Sequence, residues 1–317
     1  ANVDHCLGYG DDPWTEEATR VMKEQFSEDA MPLFVLNGTG SNVVAMQMLT
    51  HSFQNIYCAR SGHIFVDECG APAKAIGCGI VPIDTPDGKL TPLLIDKHIS
   101  GVGEQHHSQP GSIYISQATE LGTIYRPKEL TELCDWAHRN GMLVHMDGAR
   151  LHQAAAALGT TMKAISQDCG VDTLTVGGTK NGLMMGECVM IFNKSLQKNA
   201  IFYRKQATQT ASKMRFVTCQ FTAMFKDELW RKNAEHANRM AARLHDELVS
   251  LPKVLFTQPT ETNQLFLAVP HHLVKGLAEY YKFFVWDEHN DVIRFVCTWD
   301  TTDEDIDGLV AKFKEIL

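Results

Sequence analysis

The apolar positions in the first two thirds of the chain follow two alternating spacings. Helical spacing is found at residues 14–26, in the segment that ends at residue 49, and at residues 127–139 and 151–158. Short apolar runs typical of buried strands are found at residues 33–36, 63–66, 80–83, 113–115, 142–146, 171–174 and 187–192. Strands that alternate with helices predict an α/β fold, with a mostly parallel sheet covered by helices on both faces.

The rhythm changes after residue 226. Residues 227–251 have the pattern of one long amphipathic helix. Shorter strand-like runs follow at residues 264–269, 283–286 and 292–299, and a helix closes the chain at residues 303–317. We therefore predict a large domain at residues 1–226 and a small C-terminal α+β domain at residues 227–317.

The composition is that of an ordinary globular protein and excludes several function classes. The 317 residues are 44% hydrophobic and 21% charged, which argues against long disordered stretches. The formal net charge of -9 and the lack of a Lys/Arg run argue against nucleic acid or an anionic membrane as partner. No apolar run reaches membrane-spanning length, and the first residues do not have the pattern of a signal peptide.

The cysteines indicate a reducing compartment. There are nine, an odd number, and no two form a Cys-x-x-Cys pair. Free thiols buried as small apolar residues are the expected state, so we predict a cytoplasmic protein. The sequence does not begin with Met, and we expect further residues at the N-terminus.

The strongest chemical signal is a lysine and an aspartate, each placed after a strand-like run. Lys180 follows the turn Gly177-Gly178-Thr179, and Asp147 ends the run at residues 142–146. Pyridoxal phosphate needs a lysine that binds its aldehyde covalently and an acid that keeps its pyridine nitrogen protonated. Glycines let the backbone approach a bulky ring. The pair therefore predicts a pyridoxal phosphate enzyme.

The segment of residues 37–42, Asn-Gly-Thr-Gly-Ser-Asn, allows two interpretations. It follows a strand and opens a helix, so its backbone N–H groups form a natural cradle for the cofactor's phosphate. Alternatively, it is only a tight turn in which Ser41 caps the helix.

Histidines and arginines supply further candidates. His63 is either a structural hydrogen-bonding residue or an aromatic cover for the pyridine ring. Arg150 and Arg294 are candidates for carboxylate recognition, and Arg294 lies inside an apolar run where an unpaired charge is costly. The adjacent pairs at residues 106–107 and 271–272 point apart, so we predict no metal site.

Taken in order, the motifs resemble those of the low-specificity L-threonine aldolases, a family of pyridoxal phosphate enzymes with the aspartate-aminotransferase fold (fold type I). The matching segments cover nearly the whole chain: Tyr-Gly-Asp-Asp from residue 9, Asn-Gly-Thr from 37, Gly-His-Ile from 62, Gly-Lys-Leu-Thr-Pro from 88, His-Met-Asp-Gly-Ala-Arg from 145, Gly-Gly-Thr-Lys-Asn-Gly from 177 and Arg-Phe-Val-Cys-Thr-Trp-Asp from 294.

The resemblance implies a role for each candidate. Lys180, His63 and Asp147 would be catalytic: Lys180 would hold the cofactor, Asp147 its pyridine nitrogen, and His63 would stack on the ring. Further cofactor contacts would come from Gly38, Thr39, Arg150 and Thr179. Arg150 and Arg294 would bind the substrate carboxylate.

The resemblance also implies a reaction and an assembly. The reaction is the retro-aldol cleavage of L-threonine or L-allo-threonine to glycine and acetaldehyde by a carbon–carbon lyase. The assembly is a homotetramer, a dimer of dimers with its active sites at the dimer interface. A β-eliminating lyase or transaminase on the same fold, or an inactive protein of this fold, remain the alternatives.

Two departures from the family pattern affect these expectations. Many members carry a second active-site histidine where we place Thr119, a hydroxyl that cannot act as a base near neutral pH. We therefore group Thr119 with the substrate-binding residues and expect the base to be His63, a water or another residue. Members also carry a Ser-Asp-Asn motif before the segment at residue 9, and the eight residues that precede Tyr9 do not contain it.

Overall fold

The computed structural model describes all residues from 1 to 317 and contains two separate sheets. The large sheet has seven strands: β1 (Met31–Val35), β2 (Gln54–Ala59), β3 (Gly79–Ile83), β4 (Gln109–Ser116), β5 (Leu143–Gly148), β6 (Thr173–Gly177) and β7 (Glu187–Ile191). Their order is β1-β7-β6-β5-β4-β2-β3. Strands β2 to β6 run parallel, and β7 is antiparallel to both of its neighbours.

Ten helices belong to the part of the chain that forms the large sheet: α1 (Pro13–Gln25), α2 (Gly38–Leu49), α3 (His63–Val66), α4 (Ala71–Ile76), α5 (Pro92–Asp96), α6 (Pro127–Arg139), α7 (Leu151–Ala157), α8 (Lys194–Gln197), α9 (Ala200–Gln206) and α10 (Arg215–Phe225). Helices α2, α6 and α7 pack on the central strands β5 and β6. The predicted α/β fold with a mostly parallel sheet is confirmed.

The C-terminal part has its own sheet and its own core. Helix α11 (Leu229–Leu248) leads into β8 (Leu255–Phe256), β9 (Gln264–Ala268), α12 (His271–Ala278), β10 (Phe284–Asp287), β11 (Val292–Val296) and α13 (Asp303–Ile316). The first apolar core extends to Trp230, near the start of α11, and the second begins at Met240 on the same helix. Helix α11 thus joins both cores, and the domain boundary at residues 226/227 stays a prediction.

One local prediction was wrong, and one strand was not predicted. Residues 63–66 form the short helix α3 and not a strand, because the N–H groups of Val66 and Asp67 donate to the carbonyl oxygens of Gly62 and His63. Only Ile64 of that apolar run is buried. Strand β2 has no counterpart in the sequence prediction, although its last four residues are buried.

Two further features concern the chain as a whole. All nine cysteines are free, as the sequence predicts. None of the helices combines the length and the apolar character that crossing a bilayer requires.

His152 on α7 is an unusual member of the large core. Its side chain is fully buried, neither ring nitrogen has a hydrogen-bond partner, and Trp230 lies 5.6 Å away between ring centroids. Burial lowers the pKa of His152 to about 3. Between that pKa and its ordinary value the unfolded chain binds more protons, so acid favours unfolding.

We therefore predict that His152→Leu weakens the acid sensitivity of the fold. The free energy of unfolding of the wild type should fall as the pH falls below about 6.5. His152 should account for roughly 1.4 kcal/mol of this loss per pH unit. Urea unfolding at pH 7.5 and pH 5.0 measures the loss, which should be about 2 kcal/mol smaller in the variant. His289→Leu, on the exposed surface, is the control. An equal loss in His152→Leu and wild type would contradict the prediction.

Candidate active site

The candidate site lies at the carboxyl ends of the central strands, the edge where open α/β sheets bind ligands. Ser116 on β4 pairs with Asp147 on β5, and Asp147 pairs with Thr175 on β6. Gly177 at the end of β6 pairs with Glu187, the first residue of β7. The register therefore brings polar residues from four strands to one edge.

Lys180 lies in a short 3-10 helix, Thr179–Asn181, directly after β6. The two glycines before it are required by close packing. A Cβ added at Gly177 would lie 2.6 Å from the Cα of Ala149, and one at Gly178 would lie 2.5 Å from the carbonyl oxygen of Gly186. The end of β6 therefore packs directly on the segment that follows Asp147, which brings the lysine and the aspartate to one cavity.

Asp147 is buried, and both of its oxygens accept hydrogen bonds. Oδ2 accepts from the hydroxyl of Tyr114 at 2.7 Å and from Nδ2 of Asn42 at 3.0 Å, and Oδ1 accepts from the N–H of Ala149 at 2.9 Å. Burial alone would raise its pKa, but the charge of Lys180 and the bonds from Asn42 and Tyr114 outweigh burial and lower it. The carboxylate therefore stays ionised in the interior.

His63 begins α3 and faces the same cavity. Its Nδ1 lies 2.8 Å from Oε1 of Glu68, whose side chain is fully buried. This hydrogen bond raises the pKa of His63 above its ordinary value. The contact fixes the orientation of the ring, and it leaves Nε2 as the nitrogen available to a ligand.

A small cluster of possible metal ligands is formed by His63, Glu68 and Asp147. Each offers one side-chain atom that lies within 4.8 Å of the other two. Such a group has the composition of a metal site. Here Nδ2 of Asn42 lies between the carboxylates and donates to Glu68 at 2.6 Å and to Asp147 at 3.0 Å. The Asn42 amide thus links the two acids in one hydrogen-bonded network, and the cluster carries no argument for a metal.

A cavity of about 300 Å³ extends from Lys180 to the start of α2. Asn37, and not Ser41, caps this helix: its side chain accepts from the N–H of Gly40 at 2.7 Å. The N–H groups of Gly38 and Thr39 have no partner within the helix, because they belong to its first turn. A Cβ added at Gly38 would meet nothing within 4 Å, so the space before the helix is open.

A second cavity, of about 790 Å³, opens on the other side of Lys180. His63, Thr179 and Lys180 line both cavities, so the lysine stands where they meet. Arg150 lines the wall formed by the large sheet, and Arg294 on β11 lines the wall formed by the small sheet.

Neither arginine has an acidic partner. Arg294 packs over the rings of Phe284 and Trp286, at 4.8 and 5.2 Å, and its Nε is buried without a hydrogen bond. Burial and the charge of Arg150 lower the pKa of Arg294 to about 10. Arg150 also lowers the pKa of Lys180. Two unpaired guanidinium groups beside one lysine form a site for a carboxylate.

Thr119 does not reach either cavity, contrary to the place the sequence interpretation gave it. Its side chain is fully buried, and its hydroxyl is 2.7 Å from that of Thr123. The next residue, Glu120, lines the large cavity instead. The substrate-binding role of Thr119 stays a prediction, while the structure places Glu120 in the lining of the cavity.

Several residues of the site were missed by the sequence interpretation. They share two properties: they are buried and polar, and they come from elements other than those of Lys180 and Asp147. They are Asn42, Glu68, Tyr114, Glu120 and Glu187. A polar residue within an apolar run was the available signal for Tyr114 and Glu187, whereas the remaining three required the tertiary structure.

Comparison with known proteins decides the family. The model of the family described as "Beta-eliminating lyase" matches residues 1–271. The low-specificity L-threonine aldolase of Pseudomonas aeruginosa is 35% identical over 319 aligned residues, which cover 100% of this chain and 92% of that protein. The chain belongs to the family of low-specificity L-threonine aldolases. The resemblance inferred from its motifs is confirmed, and the protein is a lyase.

More distant relatives agree with this assignment to the threonine aldolase family. The low-specificity L-threonine aldolase of Escherichia coli is 25% identical over 98% of this chain and 91% of its own length. The solved structure of Leishmania major threonine aldolase superimposes with a TM-score of 0.93 at 28% identity and covers 99% of this chain and 92% of that chain. The predicted fold type I architecture is thereby confirmed.

Proposed function

We propose that this enzyme cleaves L-threonine and L-allo-threonine to glycine and acetaldehyde with the help of pyridoxal phosphate. The observation that carries the proposal is the pair of unpartnered arginines facing Lys180 across a cavity large enough for an amino acid. An α-amino acid offers a carboxylate to the arginines and an amine toward the lysine. The family assignment narrows the amino acid to one with a β-hydroxyl group.

The residues around Lys180 fit pyridoxal phosphate. The cavity of about 300 Å³ has the open N-terminus of α2 at one end, which suits a phosphate, and Asp147 along its wall. Gly38 and Thr39 would hold the phosphate, with Thr179 beside it. Asp147 would pair with the pyridine nitrogen, and Lys180 would bind the aldehyde carbon. When bound, the cofactor supplies a ring that accepts the electron pair left at the substrate α-carbon.

The electrostatics of the protein suit this chemistry. The lowered pKa of Lys180, caused first by the charge of Arg150 and then by burial, favours the neutral amine that can attack a carbonyl carbon. Asp147 keeps a negative charge in the interior, which holds a proton on a ring nitrogen placed beside it. His63, oriented by Glu68, offers a flat surface to cover the ring.

Arg150 and Arg294 would fix the substrate carboxylate. Their planar groups can give two parallel hydrogen bonds each, and a bound carboxylate would relieve the repulsion between the two cations. A fixed carboxylate restricts rotation about the bond to the α-carbon, so the bond to be cleaved can be held in one orientation.

We also propose a homotetramer, a dimer of dimers with the active sites at the dimer interface, in the cytoplasm. Apolar side chains are exposed on adjacent surface segments near the site: Leu7 (73%), Tyr9 (57%), Met184 (90%), Phe202 (61%) and Phe216 (38%). Tyr9 and Met184 are tied to α10 and the segment before it, through Ser212 and Gln220. Exposed apolar groups that lie together favour a subunit contact.

The nine free cysteines suit a reducing compartment, and recovery of the enzyme outside the soluble fraction of its cells would argue against this location.

We predict that wild-type enzyme releases equal amounts of acetaldehyde and glycine from threonine and that Lys180→Ala does not. The variant lacks the amine but should keep its fold, because the lysine side chain is not part of either core. A coupled aldehyde assay and amino acid analysis measure both products. 2-Oxobutyrate with ammonia would indicate β-elimination, a keto acid without ammonia would indicate transamination, and turnover by Lys180→Ala would refute the assignment of this lysine.

We predict that Arg294→Leu raises the KM for threonine with little effect on cofactor content. A charge-assisted hydrogen bond contributes on the order of 1.5–3 kcal/mol, which is roughly a tenfold to hundredfold change in affinity. Steady-state kinetics and the visible absorbance of the bound cofactor measure the two effects. Arg139→Leu, on the exposed end of α6, is the matched control. An unchanged KM in folded Arg294→Leu would move the carboxylate contact to Arg150.

We predict that Met184→Glu shifts the tetramer to smaller species, because a charge at this exposed apolar position cannot be buried without a partner. Light scattering with size-exclusion chromatography gives the mass. Leu255→Glu, at an exposed apolar position on the small sheet, is the control and should leave the mass unchanged. A wild-type mass of one chain would rule out the proposed assembly.

A further inference from the structure

Glu120 is a buried carboxylate in the wall of the large cavity. Only 7% of the residue is exposed, and it lines the cavity together with His63, Arg150, Lys180 and Arg294. A separate small cavity is also lined by Glu120, His63, Arg150 and Lys180. The carboxylate is therefore beside the arginines that would hold the substrate and beside the lysine.

The two oxygens of Glu120 have different surroundings. Oε1 accepts from the hydroxyl of Ser116 and from the N–H of His63, both at 2.7 Å. Oε2 accepts no hydrogen bond that involves a side chain, and this oxygen is not completely buried. Neither Arg150 nor Arg294 forms an ion pair with the carboxylate. The group is thus anchored through one oxygen and has the other available.

Several other polar groups near the cavity are already engaged. Asp147 accepts three hydrogen bonds, and the Thr119 hydroxyl is paired with that of Thr123. Nδ1 of His63 is held by Glu68. Glu187 lines only the cavity at the start of α2 and accepts from the N–H of Gly178. Asp67 and Asp300 also line the large cavity, but both are exposed to solvent. Glu120 is the buried carboxylate of this lining, and it combines a free oxygen with a place beside both arginines.

We propose that Glu120 is the catalytic base that takes the proton from the β-hydroxyl group of the substrate. This inference rests on the proposed cleavage of threonine. The hydroxyl proton passes to Oε2 of Glu120, and the O–H electron pair becomes the second bond of the aldehyde carbonyl. The Cα–Cβ bond breaks, its electron pair stays with the α-carbon, and a proton added to that carbon completes glycine. The atoms of one threonine thus become one acetaldehyde and one glycine.

A purely structural role for Glu120 makes a different prediction. Oε1 binds the first N–H group of α3, so the residue could act only by holding this helix and His63 in place. In Glu120→Gln the amide oxygen can still accept from His63 and Ser116, but the side chain can no longer take a proton. If Glu120 is the base, this variant lacks the base. If Glu120 only anchors α3, the variant keeps the anchor.

The test compares two reactions of the cofactor-loaded enzyme. Cleavage of threonine needs a base at the β-hydroxyl, whereas exchange of the α-proton of glycine with deuterated water involves no such hydroxyl. We expect Glu120→Gln to lower kcat for cleavage by about 10²–10⁴-fold, the usual contribution of a general base, while glycine exchange, followed by proton NMR, stays close to the wild-type rate. Glu132→Gln, an exposed change of the same kind on α6, should affect neither reaction.

Each other outcome has a defined meaning. Cleavage at the wild-type rate in Glu120→Gln would overturn the assignment, and so would an equal loss of both reactions. If this variant does not fold, Glu120→Ala replaces it, and recovery of cleavage on addition of formate supports the base whereas no recovery refutes it. A wild-type enzyme that releases no acetaldehyde would refute the proposed function itself, while an active wild type with an equally active Glu120→Gln would refute only this inference.

Discussion

The convergence of three cations on one cavity is the constraint on which the site depends. Lys180, Arg150 and Arg294 line one cavity, and Arg150 lowers the pKa of both other groups. Buried like charges are costly unless opposite charges or a ligand compensate them. Asp147 and Glu120 supply part of the compensation from the large sheet, and the remaining positive charge is what a substrate carboxylate can neutralise.

The two sheets contribute different parts of this arrangement. The large sheet fixes Lys180, Asp147 and Arg150 through strand register and through glycines that allow close backbone contact. The small sheet contributes Arg294, whose guanidinium is held over Phe284 and Trp286. Because α11 packs into both cores, a rotation of one sheet against the other would change the distance between the arginines. The same helix also contacts the turn of Lys180, where Nδ2 of Asn233 donates to the carbonyl oxygen of Asn181 at 2.9 Å.

The sequence was most informative where function and local structure coincide. Lys180 after a glycine turn and Asp147 at a strand end are local patterns, and the parallel sheet brings them together without further information. The helix at residues 63–66 could not be predicted from the local sequence, because its apolar run indicates a strand. The contact that stabilises the helix is the hydrogen bond from the N–H of His63 to Glu120, fifty-seven positions later. Thr119 was selected because it stands where many family members carry a histidine, and only the structure shows that the next residue, Glu120, lines the cavity.

An acidic protein would bind an anionic cofactor and an anionic substrate through local fields. The formal net charge is -9, yet each end of the site has a positive group: the first turn of α2 on one side of Lys180 and the two arginines on the other. Surface charges farther than about 8–10 Å are screened at physiological salt, whereas groups that line a cavity are screened much less. The two anion sites can also be distinguished by their chemistry, since backbone N–H groups suit a phosphate and paired guanidinium groups suit a planar carboxylate. Because Lys180 stands between them, a ligand with a carboxylate and an amine would be held with its α-carbon close to the lysine.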